Sequence, residues 1–418
     1  MATLRGYQLQ AVRDVDAAWL TSRSVLLVLP TGAGKGTIAA HVLSEEVIRG
    51  GRPLLLVHRE EIVLDVARRI GSDHVATLVG GRLEGECGAS ILCASVQSLA
   101  STGYDWRPTL LLTDEAHHAV ASTYRALYAR YPGVPHLGLT ATPMRRDRTA
   151  LGDVYDELVV GPSPAALRDR GYLVPCAVVS PADYASTLAD DPCRAWSKWA
   201  PGRQTIVFTS TVDEARALAA RWPEPAAVIH GETRNRAQII AAFRARQLRC
   251  IVNVFVLTEG TDLPEAEVCV LARGCDSPAT YLQMVGRVLR PSEGKRDALL
   301  LDLRGVVHSH GLPYDERVYS LTGKAISRPK DVLPLTTCKS CFTVFRSGPT
   351  TCPACGVNQP RPKPPRVVER TLVANATPIS ESAKLSHWRA LQARFPNPKQ
   401  AFVIFRNMFG HAPPRSNT

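Results

Sequence analysis

Residues 30 to 37 read PTGAGKGT, a glycine-rich turn that follows the apolar run SVLLVL of residues 24 to 29. Backbone N–H groups in such a turn, at the positive end of a following helix, can hold a chain of phosphates, and Lys35 adds a positive charge. The usual pattern places Ser or Thr directly after the Gly-Lys pair, so that the hydroxyl reaches Mg²⁺. Here Gly36 occupies that position and the hydroxyl arrives one residue later, at Thr37. The pattern predicts a phosphate-binding loop with an altered metal ligand, the alternative being an ordinary strand-to-helix turn.

A second group of chemically capable residues is TDEAHH, residues 113 to 118, which follows the apolar run TLLL. A carboxylate pair after a buried strand lies at the carboxyl end of a parallel sheet, where ligands bind. Asp114 can hold Mg²⁺ on the phosphates, and Glu115 can orient and deprotonate an attacking water. An isolated Asp-Glu pair is more often a solvated surface feature, but this one lies 79 residues beyond a phosphate loop.

These residues need elements to position them, and short apolar runs alternate with amphipathic stretches over the first 300 residues. Such runs, separated by helical patterns, indicate parallel sheets covered on both faces. The eight predicted strands are residues 24–29, 53–58, 90–95, 109–116, 136–142, 204–210, 249–255 and 267–272. They fall into two groups, and residues 161–196 between them read as a short helix, an extended segment and a linker. The sequence therefore predicts two α/β domains with a cleft between them.

Length, charge and hydropathy bound the class of protein. A chain of 418 residues suggests two or three domains, and a formal net charge of +12 favours a polyanionic partner, chiefly nucleic acid. No apolar run approaches the ~18 residues that a membrane span needs, so no membrane partner is expected. The N-terminus has no apolar signal-peptide core, and the expected location is the cytoplasm.

Four of the eleven cysteines fall within residues 338 to 355, in the pattern C-x2-C-x10-C-x2-C. Four thiolates at this spacing can close a tetrahedral Zn²⁺ site, whereas disulfides are the alternative. The predicted zinc ligands are Cys338, Cys341, Cys352 and Cys355. A Pro/Arg-rich tether follows, and then a segment with Leu385, Trp388, Leu391 and Phe395 at helical spacing. Together with Phe402 and Phe405, the aromatic residues predict a small helical core.

The motifs taken together resemble those of superfamily 2 helicases and translocases of the DEAD/DEAH-box (DExH) type, of the bacterial or phage kind with a C-terminal zinc ribbon. The resemblance spans about residues 4 to 305, in the family's motif order: LRGYQ (4–8, glutamine motif), LPTGAGKGT (29–37, I), LVHREEIV (56–63, Ia), ASVQSLA (94–100), TDEAHH (113–118, II), LTATP (139–143, III), TIVFTS (205–210, IV), VFVLTEGTDLP (254–264, V) and YLQMVGRVLRP (281–291, VI). The Gly-Lys-Gly-Thr ending is also similar to nucleoside monophosphate kinases, but those are small single domains without motifs II and VI.

The resemblance implies an α/β fold with two RecA-like parallel-sheet domains in tandem, a small zinc ribbon and a short helical tail. The implied domains are residues 1–178, 179–322, 323–366 (ribbon and tether) and 367–418 (tail). It implies catalytic roles for Lys35, Asp114, Glu115, His117, Gln283, Arg287 and Arg290. Implied contacts to ATP come from Gln8, Pro30, Thr31, Gly32, Ala33, Gly34, Lys35, Gly36, Thr37 and Asp262, with Mg²⁺ held by Thr37 and Asp114. Thr140 and Thr142 would link hydrolysis to movement.

Nucleic acid is expected to cross the tops of both domains, contacted through its backbone by Arg59, Ser95, Gln97, Ser210, Gly231 and Thr258, although each could instead cap a helix. The implied function is a nucleic-acid-dependent ATPase acting as a helicase or translocase on DNA, single-stranded or forked, with replication or repair proteins as possible partners. The alternative is an ATP-binding remodelling or docking factor with weak hydrolysis, in which Gly36 is the lesion. A motor subunit of a restriction complex is a third hypothesis, and no nuclease motif supports it.

Overall fold

The computed structural model describes residues 3–71, 74–85, 88–143, 149–183, 187–254, 256, 263–322, 333–359, 381–394, 401–402 and 404–405 of the chain. It divides into two compact units, residues 1–360 and 361–418. In the part of the chain that the structure describes, no helix is both long and apolar enough to cross a membrane.

The first sheet of the larger unit consists of eight strands: β1 (Ser24–Val28), β2 (Leu54–Val57), β3 (Val75–Val79), β4 (Arg82–Glu84), β5 (Ile91–Ser95), β6 (Leu111–Asp114), β7 (His136–Thr140) and β8 (Glu157–Val160). Their order is β4-β3-β5-β2-β6-β7-β1-β8, and every pair is parallel except β3 with β4. The helices of this part are α1 (Gly6–Ala18), α2 (Lys35–Ile48), α3 (Glu60–Ile70), α4 (Val96–Thr102), α5 (Ser122–Tyr128) and α6 (Pro164–Asp169).

The second sheet consists of six strands: β9 (Cys176–Val179), β10 (Thr205–Phe208), β11 (Ala226–Ile229), β12 (Cys250–Asn253), β13 (Val268–Leu271) and β14 (Ala298–Asp302). Their order is β11-β12-β10-β13-β14-β9, and all five pairings are parallel. The helices here are α7 (Pro192–Trp199), α8 (Val212–Ala220), α9 (Arg236–Arg244), α10 (Pro278–Gly286) and α11 (Val306–His310). Two parallel sheets in tandem confirm the predicted fold class.

All eight predicted apolar runs form strands, because their side chains are buried on both faces of a sheet. The predicted short helix is α6, and the extended segment is β9, which pairs with β14 at one edge of the second sheet. The second sheet thus begins at Cys176, because the backbone of β9 pairs with that of β14. The predicted domain boundary, between residues 178 and 179, falls inside this strand. The predicted linker contains the start of α7. The remaining domain boundaries stay predictions.

After the second sheet, the chain returns to the first one through residues 311–322, which we call the crossing segment. Near its start, Asp315 forms an ion pair with Arg346. Near its end, Tyr319 packs beside the buried cluster that contains Leu26, and the N–H of Gly152 donates to the carbonyl of Leu321 at 2.9 Å. The two sheets are therefore joined by a second connection besides the one that leads into β9.

The cysteine-rich segment forms an antiparallel hairpin of β15 (Leu335–Thr337) and β16 (Val344–Arg346). The hairpin lies on the free edge of β9, where the N–H of Ser180 donates to the carbonyl of Phe342 at 3.1 Å and Val179 forms a β-bridge with Thr343. It therefore extends the second sheet at the β9 edge.

In the smaller unit, α12 (Glu381–Arg394) carries Trp388, whose ring contacts that of the buried Phe405 edge-on at 5.7 Å. Phe402 is partly exposed, and Phe395 lies outside the described residues. The described contact agrees with a small aromatic core.

Candidate functional site

The glycine-rich loop connects the end of β1 to α2, which begins at Lys35. Gly32 and Gly34 have φ values of 89° and 77°, a region that residues with a Cβ rarely adopt. Gly34 directly precedes α2, and the N–H groups at the start of a helix are the ones left for partners outside it. The local geometry therefore explains why this strand-to-helix turn requires glycine at these two positions.

Gln8 braces this loop from behind. Its side chain is 3% exposed, its Nε2 donates to the carbonyl of Ala33 at 3.1 Å, and its Oε1 accepts the N–H of Arg5 at 2.9 Å. A Cβ at Gly34 would lie only 2.5 Å from Gln8 Nε2. The amide that the resemblance assigns to adenine thus holds the shape of the loop in this structure. Pro30 and Ala33 also lie at the back of the loop, with the N–H of Ala33 donating to the carbonyl of Pro30 at 3.0 Å.

The carboxylate pair lies at the carboxyl end of β6. Asp114 ends the strand, and Glu115 has a φ of 47°, an uncommon conformation for a residue with a side chain. Both side chains are only 8% exposed. Burial, reinforced by the neighbouring Glu115 charge and opposed by Lys35, raises the pKa of Asp114 from 3.8 to about 6. A carboxylate held in this way favours a bound cation, because the cation would supply the missing counter-charge.

His117 connects this pair to the end of β7. Its Nδ1 lies 3.4 Å from Oε2 of Glu115 and 3.3 Å from Oγ1 of Thr140. Thr140 Oγ1 in turn accepts the N–H of Thr142 at 3.1 Å. The ends of two adjacent strands, carrying motifs II and III, therefore share one polar network.

The second sheet contributes α10 and the residues that follow it. Gly286 packs so closely on the loop that a Cβ there would lie 2.4 Å from Cβ of Thr31. Arg287 is 4% exposed, and a Cβ at Gly32 would lie 3.1 Å from Cγ of Arg290. Gln283 is 5% exposed in the same helix. Glycine at residue 286 thus permits the approach that brings both arginines to the phosphate loop.

These parts enclose a cavity of about 310 Å³ between the two sheets. A volume near 300 Å³ is at the lower end for a site that takes a nucleotide-sized ligand. Its walls are formed by Arg5, Thr31, Gly32, Gly34, Lys35, Gly36, Thr37, Ile62, Asp65, Val66, Arg69, Asp114, Glu115, Pro264, Arg287, Arg290 and Pro291. Cationic donors for phosphate and a buried carboxylate pair for a metal ion are both present, so the residues fit a nucleotide with a divalent cation.

Three charged residues of the cavity wall were not expected from the sequence. Arg5 comes from the turn before α1, while Asp65 and Arg69 form an i,i+4 ion pair on α3 at 2.8 Å. Such pairs are common on exposed helix faces, so this one gave no signal in the sequence. Arg5 lies within the glutamine motif, residues 4–8, and that position was the available clue.

Three residues of the first sheet were expected to contact nucleic acid, and the surroundings of the three differ from one another. Arg59 Nη1 donates to the carbonyl of Val256, across the cleft, at 2.9 Å. Ser95 is 1% exposed, and its hydroxyl caps α4 by accepting the N–H of Ser98. The Ser95 hydroxyl therefore forms the helix cap that the sequence left open as the alternative, and its contact with nucleic acid stays a prediction. Gln97, two residues later, is exposed.

On the second sheet, Ser210 and Gly231 are exposed at the carboxyl ends of β10 and β11. The carboxylate of Glu214 accepts the N–H groups of Ser210 and Thr211 at 3.1 and 3.2 Å and so fixes the first of these loops. Thr258 and Asp262, both in motif V, lie outside the described residues.

The four clustered cysteines converge at one end of the β15-β16 hairpin, with all four sulfur atoms within 4.8 Å of one another. Two of the separations are Cys338 to Cys355, 3.7 Å, and Cys341 to Cys352, 3.6 Å. Disulfide sulfurs would be ~2 Å apart, so these are thiols. Backbone N–H groups of Ser340 and Cys341 point at Cys338 Sγ, which favours a thiolate there. The cluster can therefore hold one metal ion.

Comparison with known proteins identifies two family matches in the larger unit. Residues 1–145 match the family described as type III restriction enzyme, res subunit, and residues 191–292 match the helicase conserved C-terminal domain. A 51.5 kDa protein of a Lactococcus phage is 26% identical over 361 residues, covering 78% of this chain and 76% of that protein. The putative mitochondrial ATP-dependent helicase irc3 of Schizosaccharomyces pombe is 28% identical, covering 67% of this chain and 54% of the relative.

An archaeal relative, the DNA 3'-5' translocase XPB2 of Sulfurisphaera tokodaii, is 24% identical, covering 72% of this chain and 81% of the relative. Among solved structures, the fragment of a putative HsdR subunit of a type I restriction enzyme from Vibrio vulnificus shares the fold, with a TM-score of 0.59 at 20% identity. The match covers 78% of this chain and 71% of the fragment. The chain therefore belongs to the superfamily 2 helicases and translocases, which are ATP hydrolases.

Proposed function

We propose that this protein is a DNA-stimulated ATPase that moves along DNA or separates its strands. The observation that supports the proposal most is the cavity between the two sheets, because motifs I and II from one sheet and motif VI from the other line it together. The translocase relative suggests DNA as the track. The formal net charge of +12 is compatible with a phosphate-rich partner.

In the proposed mechanism, the loop amides and Lys35 bind the β- and γ-phosphates. Mg²⁺, when bound by Asp114 and by Thr37 directly or through water, would neutralise charge on those phosphates. Glu115 orients the attacking water and accepts its proton. Gln8 holds the loop, and Asp262 stays a predicted contact to the nucleotide.

The arginines make hydrolysis depend on the position of the second sheet. Arg287 and Arg290 stabilise negative charge that develops on the transferred phosphoryl group, a role worth ~10³ to 10⁵ in rate in related chemistry. Gln283, in the helix that precedes them, would meet the nucleotide, and His117 relays movement at the end of β7 to Glu115. Because the arginines belong to the second sheet, opening the cleft would switch hydrolysis off, and repeated closure would move the track.

For the cysteine cluster we propose Zn²⁺. A tetrahedron with metal–sulfur bonds of ~2.3 Å has sulfur–sulfur edges of ~3.8 Å, close to the separations in the cluster. Four thiolate ligands leave no open position for a substrate, so the ion would have a structural role. We place the protein's action in the cytoplasm of a bacterial cell or a phage-infected host, a proposal supported by the phage relative. Replication or repair proteins stay predicted partners.

The test is ATP turnover measured without nucleic acid and with single-stranded DNA, duplex DNA or RNA. We expect DNA to accelerate turnover, and Lys35→Ala and Glu115→Gln to lower it by ~10² or more, because each removes a group that acts on the phosphates or water. Matched controls are Lys198→Ala and Glu293→Gln, both exposed and outside the cavity wall.

The same assay discriminates the alternative of a remodelling or docking factor with weak hydrolysis. Tight ATP binding with turnover that neither DNA nor RNA accelerates would favour that alternative. Unchanged turnover in both cavity variants would overturn the proposed site.

A further inference from the structure

Three histidine rings lie in contact beside the carboxylate pair, outside the nucleotide cavity. The ring of His117 lies 4.2 Å from that of His118, centroid to centroid, and His118 stacks on His58 at 4.7 Å with an interplanar angle of 25°. His58 comes from the end of β2 and the other two from motif II, so the stack joins two strand ends. We call the three rings of His58, His118 and His117 the histidine stack.

The histidine stack has different surroundings at its two ends. At the inner end, His117 is buried and its Nδ1 lies 3.4 Å from Glu115 Oε2. At the outer end, His58 is exposed, and its Nδ1 lies 3.2 Å from Nε2 of Gln97, which is also exposed. An unbroken series of contacts thus runs from the water-orienting carboxylate to a residue predicted to contact nucleic acid.

We propose that His58 and His118 are positioning residues that transmit occupancy of the nucleic-acid surface at Gln97 to Glu115. The inference rests on the proposed function, since it assigns the route by which DNA stimulates hydrolysis. A phosphate or sugar oxygen that accepts a hydrogen bond from the Gln97 amide competes with the contact between that amide and His58 Nδ1. Loss of this contact lets the exposed His58 ring reorient. Because His118 is stacked between His58 and His117, a shift of the outer ring changes the packing of the ring that contacts Glu115.

The geometry favours transmission through ring contact over a chain of proton transfers. His117 and His118 meet as tilted rings, and His118 and His58 meet as stacked rings. A ring of similar size without nitrogen atoms should therefore preserve the route, whereas truncation should interrupt it. A contiguous contact path requires coupling evidence before it counts as communication, and a double-mutant cycle supplies that evidence.

The experiment uses the full-length protein and compares ATP turnover at saturating single-stranded DNA with turnover in its absence. For His118→Ala and for His58→Ala, we expect turnover without DNA to stay within about twofold of the unmodified chain. We expect the stimulation by DNA to fall by ~10-fold, within the range of ordinary coupling between two sites. The double variant should lose no more than the larger single loss, and His118→Phe should retain most of the stimulation. His74→Ala, at an exposed histidine outside the stack, is the matched control.

Full stimulation in His118→Ala or His58→Ala would overturn the inference, as would additive losses in the double variant. Equal loss of turnover with and without DNA would also overturn it, because it would mean that the rings only stabilise the fold. If His118→Ala fails to fold, as judged by its thermal unfolding, His58→Ala decides the question, since that ring is exposed. Absence of stimulation in the unmodified chain would instead contradict the proposed function.

Discussion

Gly36 and Thr37 illustrate how much one side chain decides at the phosphate loop. Gly36 lies in the first turn of α2 without a positive φ, and a Cβ there would meet Arg69 Nε at 3.7 Å, an ordinary contact. The structure therefore has room for a Cβ at this position. Thr37, one residue further, lines the cavity together with Asp114. The displaced hydroxyl is thus available to the same region of the site.

The first prediction concerns the metal ligand. We expect Thr37→Ala to raise the Mg²⁺ concentration needed for half-maximal turnover by ~10-fold, because it removes a hydroxyl ligand. Restoring the usual pattern in Gly36→Ser/Thr37→Ala should reverse most of that change. The measurement is a Mg²⁺ titration of ATP turnover, with Thr31→Ala as the comparison. If Thr31→Ala and not Thr37→Ala shifts the titration, the ligand is Thr31.

The second prediction follows from the pKa of Asp114, which burial raises from 3.8 to about 6. The folded protein then binds this proton more tightly than the unfolded chain, so the charged carboxylate lowers stability above pH 6. We expect Asp114→Asn to raise the free energy of unfolding, measured without nucleotide at pH 8, by ~1–3 kcal/mol while abolishing hydrolysis.

The stabilising effect of Asp114→Asn should fade as pH falls through the interval from about 6 to 3.8, where the native carboxyl also becomes neutral. Denaturant unfolding at several pH values measures the effect. The exposed Asp276→Asn is the control and should show no comparable trend. A variant that is less stable than the native chain at pH 8 would contradict the cost assigned to the buried charge.

At the level of elements, β6 and β7 hold the site through a buried polar cluster beneath the strand ends. Thr113 Oγ1 lies 2.9 Å from His136 Nε2 and 3.0 Å from the hydroxyl of Tyr128. Burial lowers the pKa of His136 to about 3, so the ring is neutral at ordinary pH. Because Thr113 directly precedes Asp114, this cluster fixes the strand that presents the carboxylate.

The third prediction concerns the close packing of β7. A Cβ at Gly138 would lie 2.4 Å from Cζ of Tyr155, a fully buried ring. We expect Gly138→Ala to lower the free energy of unfolding by ~1–3 kcal/mol through overpacking. Tyr155→Leu should lower the free energy of unfolding by less in the Gly138→Ala background than in the unmodified chain, since the smaller side chain removes the clash.

Chemical denaturation of the four chains in this cycle measures the coupling between residues 138 and 155. Gly6→Ala is the control, because Gly6 lies in α1 with no atom near its missing Cβ. Purely additive effects at the two positions would show that Tyr155 does not restrict residue 138.

At the level of the whole molecule, the β15-β16 hairpin, the second sheet and the crossing segment form one series of contacts. The hairpin extends the β9 edge through Ser180 and Phe342, and Arg346 of the hairpin pairs with Asp315 at the start of the crossing segment. The end of that segment packs on the first sheet at Gly152. The hairpin therefore supports the region that connects the two halves of the cleft.

The fourth prediction is that removal of the metal loosens this region. Since a four-thiolate site folds around its ion, chelation or Cys352→Ser should disorder the hairpin and leave the β9 edge uncovered. We expect a lower unfolding temperature and faster amide hydrogen exchange at Ser180, with one Zn²⁺ per chain in the unmodified protein by elemental analysis. The control is Cys176→Ser, which alters a cysteine outside the cluster. Unchanged exchange at Ser180 after complete metal removal would contradict the proposed support.

Much of this organisation could be predicted from the sequence, because local patterns determine it. Continuous apolar runs specify buried parallel strands such as β1 and β6, and the loop glycines specify a backbone that only they adopt easily. The cysteine spacing likewise predicted that four sulfur atoms converge. Strands such as β14 (ALLLD) and β11 escaped prediction, because short apolar segments do not distinguish strand from helix without their neighbours.

Tertiary structure alone decided which side chains share a site and which are occupied elsewhere. Ser95 caps α4, Gln8 braces the phosphate loop, and Arg59 reaches a carbonyl across the cleft. Arg69 enters the cavity from α3, whose pattern carries no such signal. The physical reason is that motifs specify residue types along the chain. Distances between residues far apart in sequence depend instead on how the two sheets pack, and that packing involves the whole larger unit.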